Sequence, residues 1–353
     1  MRDVVGRINR PDRADTQLFW GSFSTLDFTV QTMVATASAG LADVVFSPDK
    51  TVSLFVAVGN DDGTDAFIVT SPDGVTWTER SNPKNIRLNA VVYALGIFVA
   101  VGGDDGVDAY IVTSGNGITW TERSNAKNVA LNGVTFNGSI FVAVGSADGA
   151  DAYILTSSDG ITWTERSNPK NASLVAVGWN GTIFVAAGAT DGADTYMLTS
   201  PDAITWTERA TPLINISRSI VWGNNQWVVV GDGDSSDGSV LTSPDGITWT
   251  EQTIPATSQL LFDIDWNGSV YIAAGQTDGS SVYMIQSKNG VNWFLVTTPS
   301  IADQISGITF FKNMYVMVGS STGGSPDPYC LTVSLRQQRL RSPGLSRSFV
   351  GTY

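Results

Sequence analysis

Ser71-Pro72-Asp73-Gly74-Val75-Thr76-Trp77 returns as Ser243-Pro244-Asp245-Gly246-Ile247-Thr248-Trp249. Between and beyond them the phrase is varied, and it always closes on tryptophan. Trp77, Trp120, Trp163, Trp206, Trp249 and Trp293 are spaced by 43, 43, 43, 43 and 44 residues. A period of this length marks one supersecondary unit copied many times, each copy burying its neighbour's apolar face.

One copy, residues 87–123, shows what the unit is. Leu88 to Tyr93 is apolar and β-branched, and Ala94-Leu95-Gly96 turns it. Ile97 to Val101 and Ala109 to Thr113 are two further apolar runs, separated by Gly102-Gly103-Asp104-Asp105-Gly106. Gly115-Asn116-Gly117 turns again, and Ile118 to Glu122 alternates as a fourth run. Short Val/Ile/Tyr runs between Gly/Asn/Asp turns are strands, and no segment holds a 3.6-residue period. Runs such as Ile140-Phe141-Val142-Ala143-Val144 are apolar at every position, as expected of strands covered on both faces. Four antiparallel strands repeated about an axis predict an all-β, seven-bladed β-propeller. Six complete copies begin near Leu41. A seventh, from Ile305, has three strands and no tryptophan phrase. Leu26 to Gln31 matches Ile118 to Arg123 with Phe28 in the tryptophan position, so an N-terminal strand is expected to close the ring and remove its open edges. The chain thus divides into an N-terminal extension (1–25), the propeller (26–335) and a basic C-terminal tail (336–353).

The phrase resembles the Asp-box, or BNR, repeat of sialidase-like propellers, one residue shorter between Asp and Gly. That resemblance covers residues 26–335. It implies that the Asp caps the turn between third and fourth strands and that the Trp packs between blades. Asp or Asn before Gly suits such a turn. Asn116 and Asn289 replace Asp, and Ala203 replaces Gly, so the turn at Ala203 is expected to be strained or altered.

Sialidase-like chemistry would need converging arginines, a Tyr–Glu pair and a catalytic Asp. Arg80, Arg123, Arg166 and Arg209 lie in the repeated outer stretch and should stand around the rim; only Arg87 and Arg218 fall near inner strands. Asp263 and Asp265, two apart on a first strand, should share a face toward the channel. They are a weak match to a glycosidase pair and read better as acids facing channel water. The chain has no histidine, which removes the triad systems and the commonest metal ligand. Gly231-Asp232-Gly233 is expected in a β-turn, not a dinucleotide loop. No catalytic residue, metal site or cofactor is expected.

Loops after second and fourth strands should share one pole. That pole carries an acidic series, Asp61, Asp62, Asp104, Asp105, Asp148, Asp191 and Asp234 among others, and Lys84, Lys127 and Lys170. These acids are the candidate binding residues; calcium is conceivable there, but solvated Asp/Gly turns fit the spacing better. Tyr110, Tyr153, Tyr196 and Tyr283 recur in third strands and could serve a glycan-binding module.

Net charge is −13, which disfavours nucleic acid and anionic membranes. The single cysteine, Cys330, excludes an internal disulfide. Met1 to Asp15 lacks the apolar stretch of a signal peptide, and no run approaches the roughly 20 apolar residues that span a bilayer. The tail bears Arg336, Arg339, Arg341 and Arg347 and no acid, a surface suited to docking. The near-identical copies look like propellers encoded in phages and bacteria. The leading expectation is a non-catalytic structural or attachment protein of a phage virion (tail or capsid surface), assembled in the host cytoplasm. Its partners would be other structural proteins, engaged through the two tails, or a host-surface glycan. The alternatives are a carbohydrate-binding module and, third, a sialidase-like hydrolase.

Overall fold

The computed structural model describes residues 27–32, 40–61, 63, 66–190, 194–211, 216–233, 238–255, 259–299, 303–321 and 328–334. These residues form seven sheets of four antiparallel strands and no helix. Blade 2 is typical: Leu88–Ala94, Ile97–Asp104, Ala109–Ser114 and Thr121–Glu122. Blades 1 and 3 to 6 repeat it from Leu41, Leu131, Leu174, Ser217 and Leu261. Blade 7 holds Asp303–Phe311, Met314–Ser321 and Pro328–Ser334, and its fourth strand is Asp27–Thr32, antiparallel to Pro328–Ser334. The expected closure is therefore present, with Phe28 opposite Val333 and packed into the blade 6–blade 7 core.

Cores lie between blades. Val56, Val58 and Ile68 of blade 1 share a cluster with Val91, Phe98, Val112 and Trp120 of blade 2. Second and third strands are apolar throughout because their two faces serve two different interfaces. Trp77, Trp120, Trp163, Trp206 and Trp293 each stand beside their own blade's second-strand aromatic ring, Trp120 with Phe98 at 6.2 Å between centroids.

Fourth strands are shorter than the alternation suggests. Pairing is confined to Thr121–Glu122, not Ile118 to Glu122. The turn takes the missing amides: Asn116 Oδ1 accepts the N–H groups of Ile118 (2.8 Å) and Thr119 (2.9 Å). Ser114 Oγ accepts from Gly117 at 2.9 Å, and Trp120 Nε1 donates to the Gly117 carbonyl at 3.2 Å. Asp73, Asp159 and Asp245 do the same work, and the amides they accept hold their carboxyls below the usual range. Ala203 adopts φ 62°, yet Asp202 still accepts from Ile204 and Thr205 at 2.9 and 2.8 Å. The strain sits in one left-handed alanine; the Asp bonds are kept, while Trp206 Nε1 is buried without the carbonyl partner that Trp120 Nε1 has.

A second repeat was not read from the sequence. Every first strand has a β-bulge at the same register position, after Leu41, Leu88, Leu131, Leu174, Ser217, Leu261 and Ile305. Opposite each stands a glycine: Gly59, Gly102, Gly145, Gly188, Gly231, Gly275 and Gly319. A Cβ on any of them would lie 1.8 to 2.2 Å from a facing backbone oxygen. The bulge brings that oxygen inward, and in six blades the residue after the glycine donates to it, as Ser146 does to Ala130 at 2.9 Å. Gly231-Asp232 accordingly ends a strand, not a β-turn.

Candidate functional site

The bulged residues Ala42, Asn89, Asn132, Val175, Arg218, Phe262 and Ser306 are half-buried and line the central channel. Neighbouring first strands are tied across it. Asn89 Nδ2 donates to the Leu131 carbonyl and Asn132 Nδ2 to that of Leu174, both at 2.8 Å. Asp43 accepts from the Val91 amide at 2.9 Å. Arg218 makes a bidentate pair with Asp232 (2.9 and 2.7 Å) and lies over the Phe262 ring. The cavity among these residues is about 80 Å³. Ligand pockets run about 300–1,000 Å³, so the space at this level is below their usual range.

Asp263 is not a channel-water acid. It is 3% exposed, accepts Ser219 Oγ on one oxygen and accepts the Ile308 amide (2.7 Å) on the other. The bulge gives the channel position to Phe262 and turns Asp263 into a clasp across blades 5, 6 and 7. Asp265 accepts the Trp266 amide at 2.8 Å. The expected pair on one water-facing surface is therefore replaced by one buried tie and one local cap.

At the pole of the acidic loops, charges meet charges. Lys84 Nζ bonds Asp105 and Glu122, and Lys127 Nζ bonds Asp148 (2.5 Å) and Glu165. Lys170 Nζ reaches Glu208 at 2.5 Å. Each lysine follows one blade's fourth strand and clamps the next blade. These hydrogen bonds are the main reason that Asp105 and Asp148 are held down to about 2 and that Lys84 and Lys127 are raised. Two acid trios, Asp105/Asp108/Glu122 and Asp148/Asp151/Glu165, have metal-like spacing. In both, an ammonium already supplies the positive charge, while Asp108 and Asp151 accept the Asn125 and Asn168 amides at 2.9 Å. Asp61 and Asp104 are exposed; Asp62, Asp191 and Asp234, like Arg336, Arg339, Arg341 and Arg347, lie outside the described residues.

The tyrosine series belongs to the same stitch. Tyr153 is fully buried, accepts the Lys127 amide at 3.0 Å and donates to Asn125 Oδ1 at 2.9 Å. Tyr110 and Tyr196 repeat this with Lys84/Asn82 and Lys170/Asn168. Tyr283 donates to the Pro255 carbonyl at 2.7 Å. Burial pushes the Tyr153 hydroxyl up to about 12. None of these four rings offers a face to a glycan. Arg80, Arg123, Arg166 and Arg209 stand around the rim as expected, each bonding a third-strand threonine of its own blade.

Comparison with known proteins agrees with this architecture. Residues 71–213 match the model of a family described as the DUF6242 beta propeller domain. No curated protein matches the sequence. Among solved structures, a catalytically inactive variant of virginiamycin B lyase from Staphylococcus aureus, with quinupristin, is similar. It has a TM-score of 0.70 and 13% identity, over 88% of this chain and 100% of that one. The WD40 beta propeller domain of Doa1 follows at 0.61 and 14%, over 88% and 98%. The computationally designed Ika8 protein gives 0.55 and 16%, over 83% and 85%. At these identities the likeness is one of fold.

Proposed function

We propose that this chain is a non-catalytic propeller, of the Asp-box kind, that serves as a structural or attachment component of a larger assembly. The observation that carries the reading is where the repeated polar groups go. Lys127 with Asp148 and Glu165, and Tyr153 with Asn125, join blade 2 to blade 3, and Lys84, Lys170, Tyr110 and Tyr196 do the same at the two adjoining interfaces. An arc of the ring whose repeated lysines and tyrosines are spent on interblade ties is built for stiffness, which suits a particle component more than a reaction. The lyase with the same fold was solved as a variant inactivated by a histidine-to-alanine change, and this chain holds no histidine.

A virion, at the tail or on the capsid surface, is the setting that the near-identical repeats favour. The four arginines of 336–353 supply a basic docking segment against acidic neighbours. The test compares the full chain with one lacking 336–353 for incorporation into purified particles. Loss of incorporation is expected; undiminished incorporation overturns the docking role. A panel of fluorogenic glycosides tests the other half, since turnover of any of them would refute the non-catalytic reading.

A further inference from the structure

Just after its bulge, each first strand carries a small or acidic residue. In blade order these are Asp43, Ala90, Gly133, Ala176, Ser219, Asp263 and Gly307. The position faces the next blade. A Cβ on Gly307 would lie 2.7 Å from Asp43 Cα, and one on Gly133 would lie 2.7 Å from the Val175 carbonyl oxygen. Two of the seven places hold a carboxylate, and both use it alike. Asp43 Oδ2 accepts the Val91 amide of blade 2 at 2.9 Å, and Asp263 Oδ2 accepts the Ile308 amide of blade 7 at 2.7 Å. The amide second after the bulge thus turns away from its own second strand, and the chain meets it with a carboxylate.

Register places the same amide in Val134, Val177 and Ile220 of blades 3, 4 and 5. They face Ala143, Ala186 and Val229 as Val91 faces Ala100 and Ile308 faces Met317. The preceding blades present Ala90, Gly133 and Ala176 to these three, and none of those side chains has an acceptor. Val134, Val177 and Ile220 line one channel cavity of about 80 Å³ together with Arg218. Asp232 takes Nε and Nη2 of Arg218, so among the described residues Nη1 remains a donor. Asn89 and Asn132 line the same cavity, and each keeps a second side-chain N–H beyond its tie to a neighbouring carbonyl. The acids nearby are engaged: Asp43 accepts the Val44 and Val91 amides, Asp263 accepts from Ser219 and Ile308, and Asp232 holds Arg218.

We propose that this arc of the channel binds a small carboxylate, of formate or acetate size, on the amides of Val134, Val177 and Ile220 with Arg218 as its counter-charge. The chain's own usage carries the assignment, since a carboxylate is the acceptor at two equivalent places. Backbone N–H groups require a partner, and bonds to an ionised oxygen are shorter and stronger than neutral ones. Size sets the class. The cavity of about 80 Å³ has room for about three water-sized groups at roughly 30 Å³ each, which suits an anion of three or four non-hydrogen atoms. Bound there, it ties blades 3, 4 and 5 at the axis as Asp43 ties blades 1 and 2 and Asp263 ties blades 6 and 7. The site depends neither on a virion setting nor on the non-catalytic reading.

The test is calorimetric titration of the full chain at pH 7 and constant ionic strength, after dialysis free of carboxylate buffers. Acetate and formate should bind in the millimolar range or tighter, and chloride about tenfold or more weakly. Arg218→Gln should weaken acetate about tenfold. Ala176→Asp supplies an internal carboxylate beside the Ile220 amide. It should abolish acetate binding and raise the melting temperature of the acetate-free chain. Ala90→Asp, beside the Val134 amide, is a second variant of the same kind. No acetate heat and no melting shift up to about 100 mM in the unmodified chain overturns the proposal. So does chloride binding as tight as acetate, or an acetate affinity that none of the three substitutions moves. A hexapeptide with a free C-terminal carboxylate that binds more tightly than acetate would give these donors to a protein partner's chain end and refute the free-acid assignment.

Discussion

Replacing Gly145 by alanine tests the bulge ring directly. The new Cβ would lie 2.2 Å from the Ala130 carbonyl oxygen and 3.0 Å from Leu131 Cα. Ordinary contact requires about 3.5 Å, so first and second strands must part by roughly 1 Å. Overpacking of this kind costs about 1–3 kcal/mol. The same movement loosens the 2.9 Å hydrogen bond from Ser146 to Ala130, adding about 1 kcal/mol. Alanine restricts the unfolded chain and returns about 0.4–1 kcal/mol. The net expectation is a loss of about 2–3 kcal/mol, read as the shift in urea unfolding followed by tryptophan fluorescence. Gly115→Ala is the control. Gly115 has negative-φ backbone and open space around its Cβ, so only the unfolded-state gain applies, and that variant should be as stable as the parent or slightly more so. If Gly145→Ala unfolds within about 0.5 kcal/mol of Gly115→Ala, close approach is not what requires glycine at the seven positions.

Asp148 has its carboxyl depressed to about 2 from an ordinary 3.8. Its folded-state value is the lower one, so its stabilising effect is present above about pH 4 and is lost as pH falls toward 2; Lys127→Met should flatten acid unfolding in that window. Asp263→Asn keeps the shape but sets an amide N–H₂ against one of two donors, Ser219 Oγ or the Ile308 amide, so melting should show a loss of about 1–3 kcal/mol. Cys330 is fully buried and its thiol is pushed up to about 12 by desolvation; it should resist iodoacetamide at pH 8 until the chain is unfolded. Gly160→Ala places a methyl at φ 72° and 2.8 Å from Ile97 Cδ1, and should cost about 1–2 kcal/mol in the same unfolding assay.

Blade number, closure and interblade tryptophans were legible because each rests on a period that survives in the residue types. Phe28 could be placed by phase alone, since one aromatic ring can stand in for another between blades. The bulge was not read, although its signal was present: a glycine follows the apolar run of the second strand in every copy. Turn composition explained that glycine well enough in isolation. Only the facing carbonyl shows that it is required by a close backbone approach. Asp263 was misplaced for the same reason. Counting two residues along a strand assumes an unbroken pleat, and the bulge at Phe262 breaks it.

Two acids of the acidic pole are accounted for in a different way. Asp105 and Asp148 were conspicuous because they repeat, and they repeat because each clamps a lysine from the preceding blade. In a ring of near-identical copies, a residue required by the copy-to-copy contact must recur, whereas a residue that meets a single external partner need not. Recurrence is thus evidence for stitching and against a unique site. Function is better sought where the copies disagree. Phe294 and Leu295 replace the Thr-Glu of five other blades and are 64% and 57% exposed. Arg218 and Phe262 replace the small or amide residues of the other bulges. The first departure marks the outer strand of blade 6 and the second marks one arc of the channel wall, where Arg218 of blade 5 lies over Phe262 of blade 6, so substitutions at Phe294 and Leu295 should change what the rim contacts while leaving the interblade ties intact.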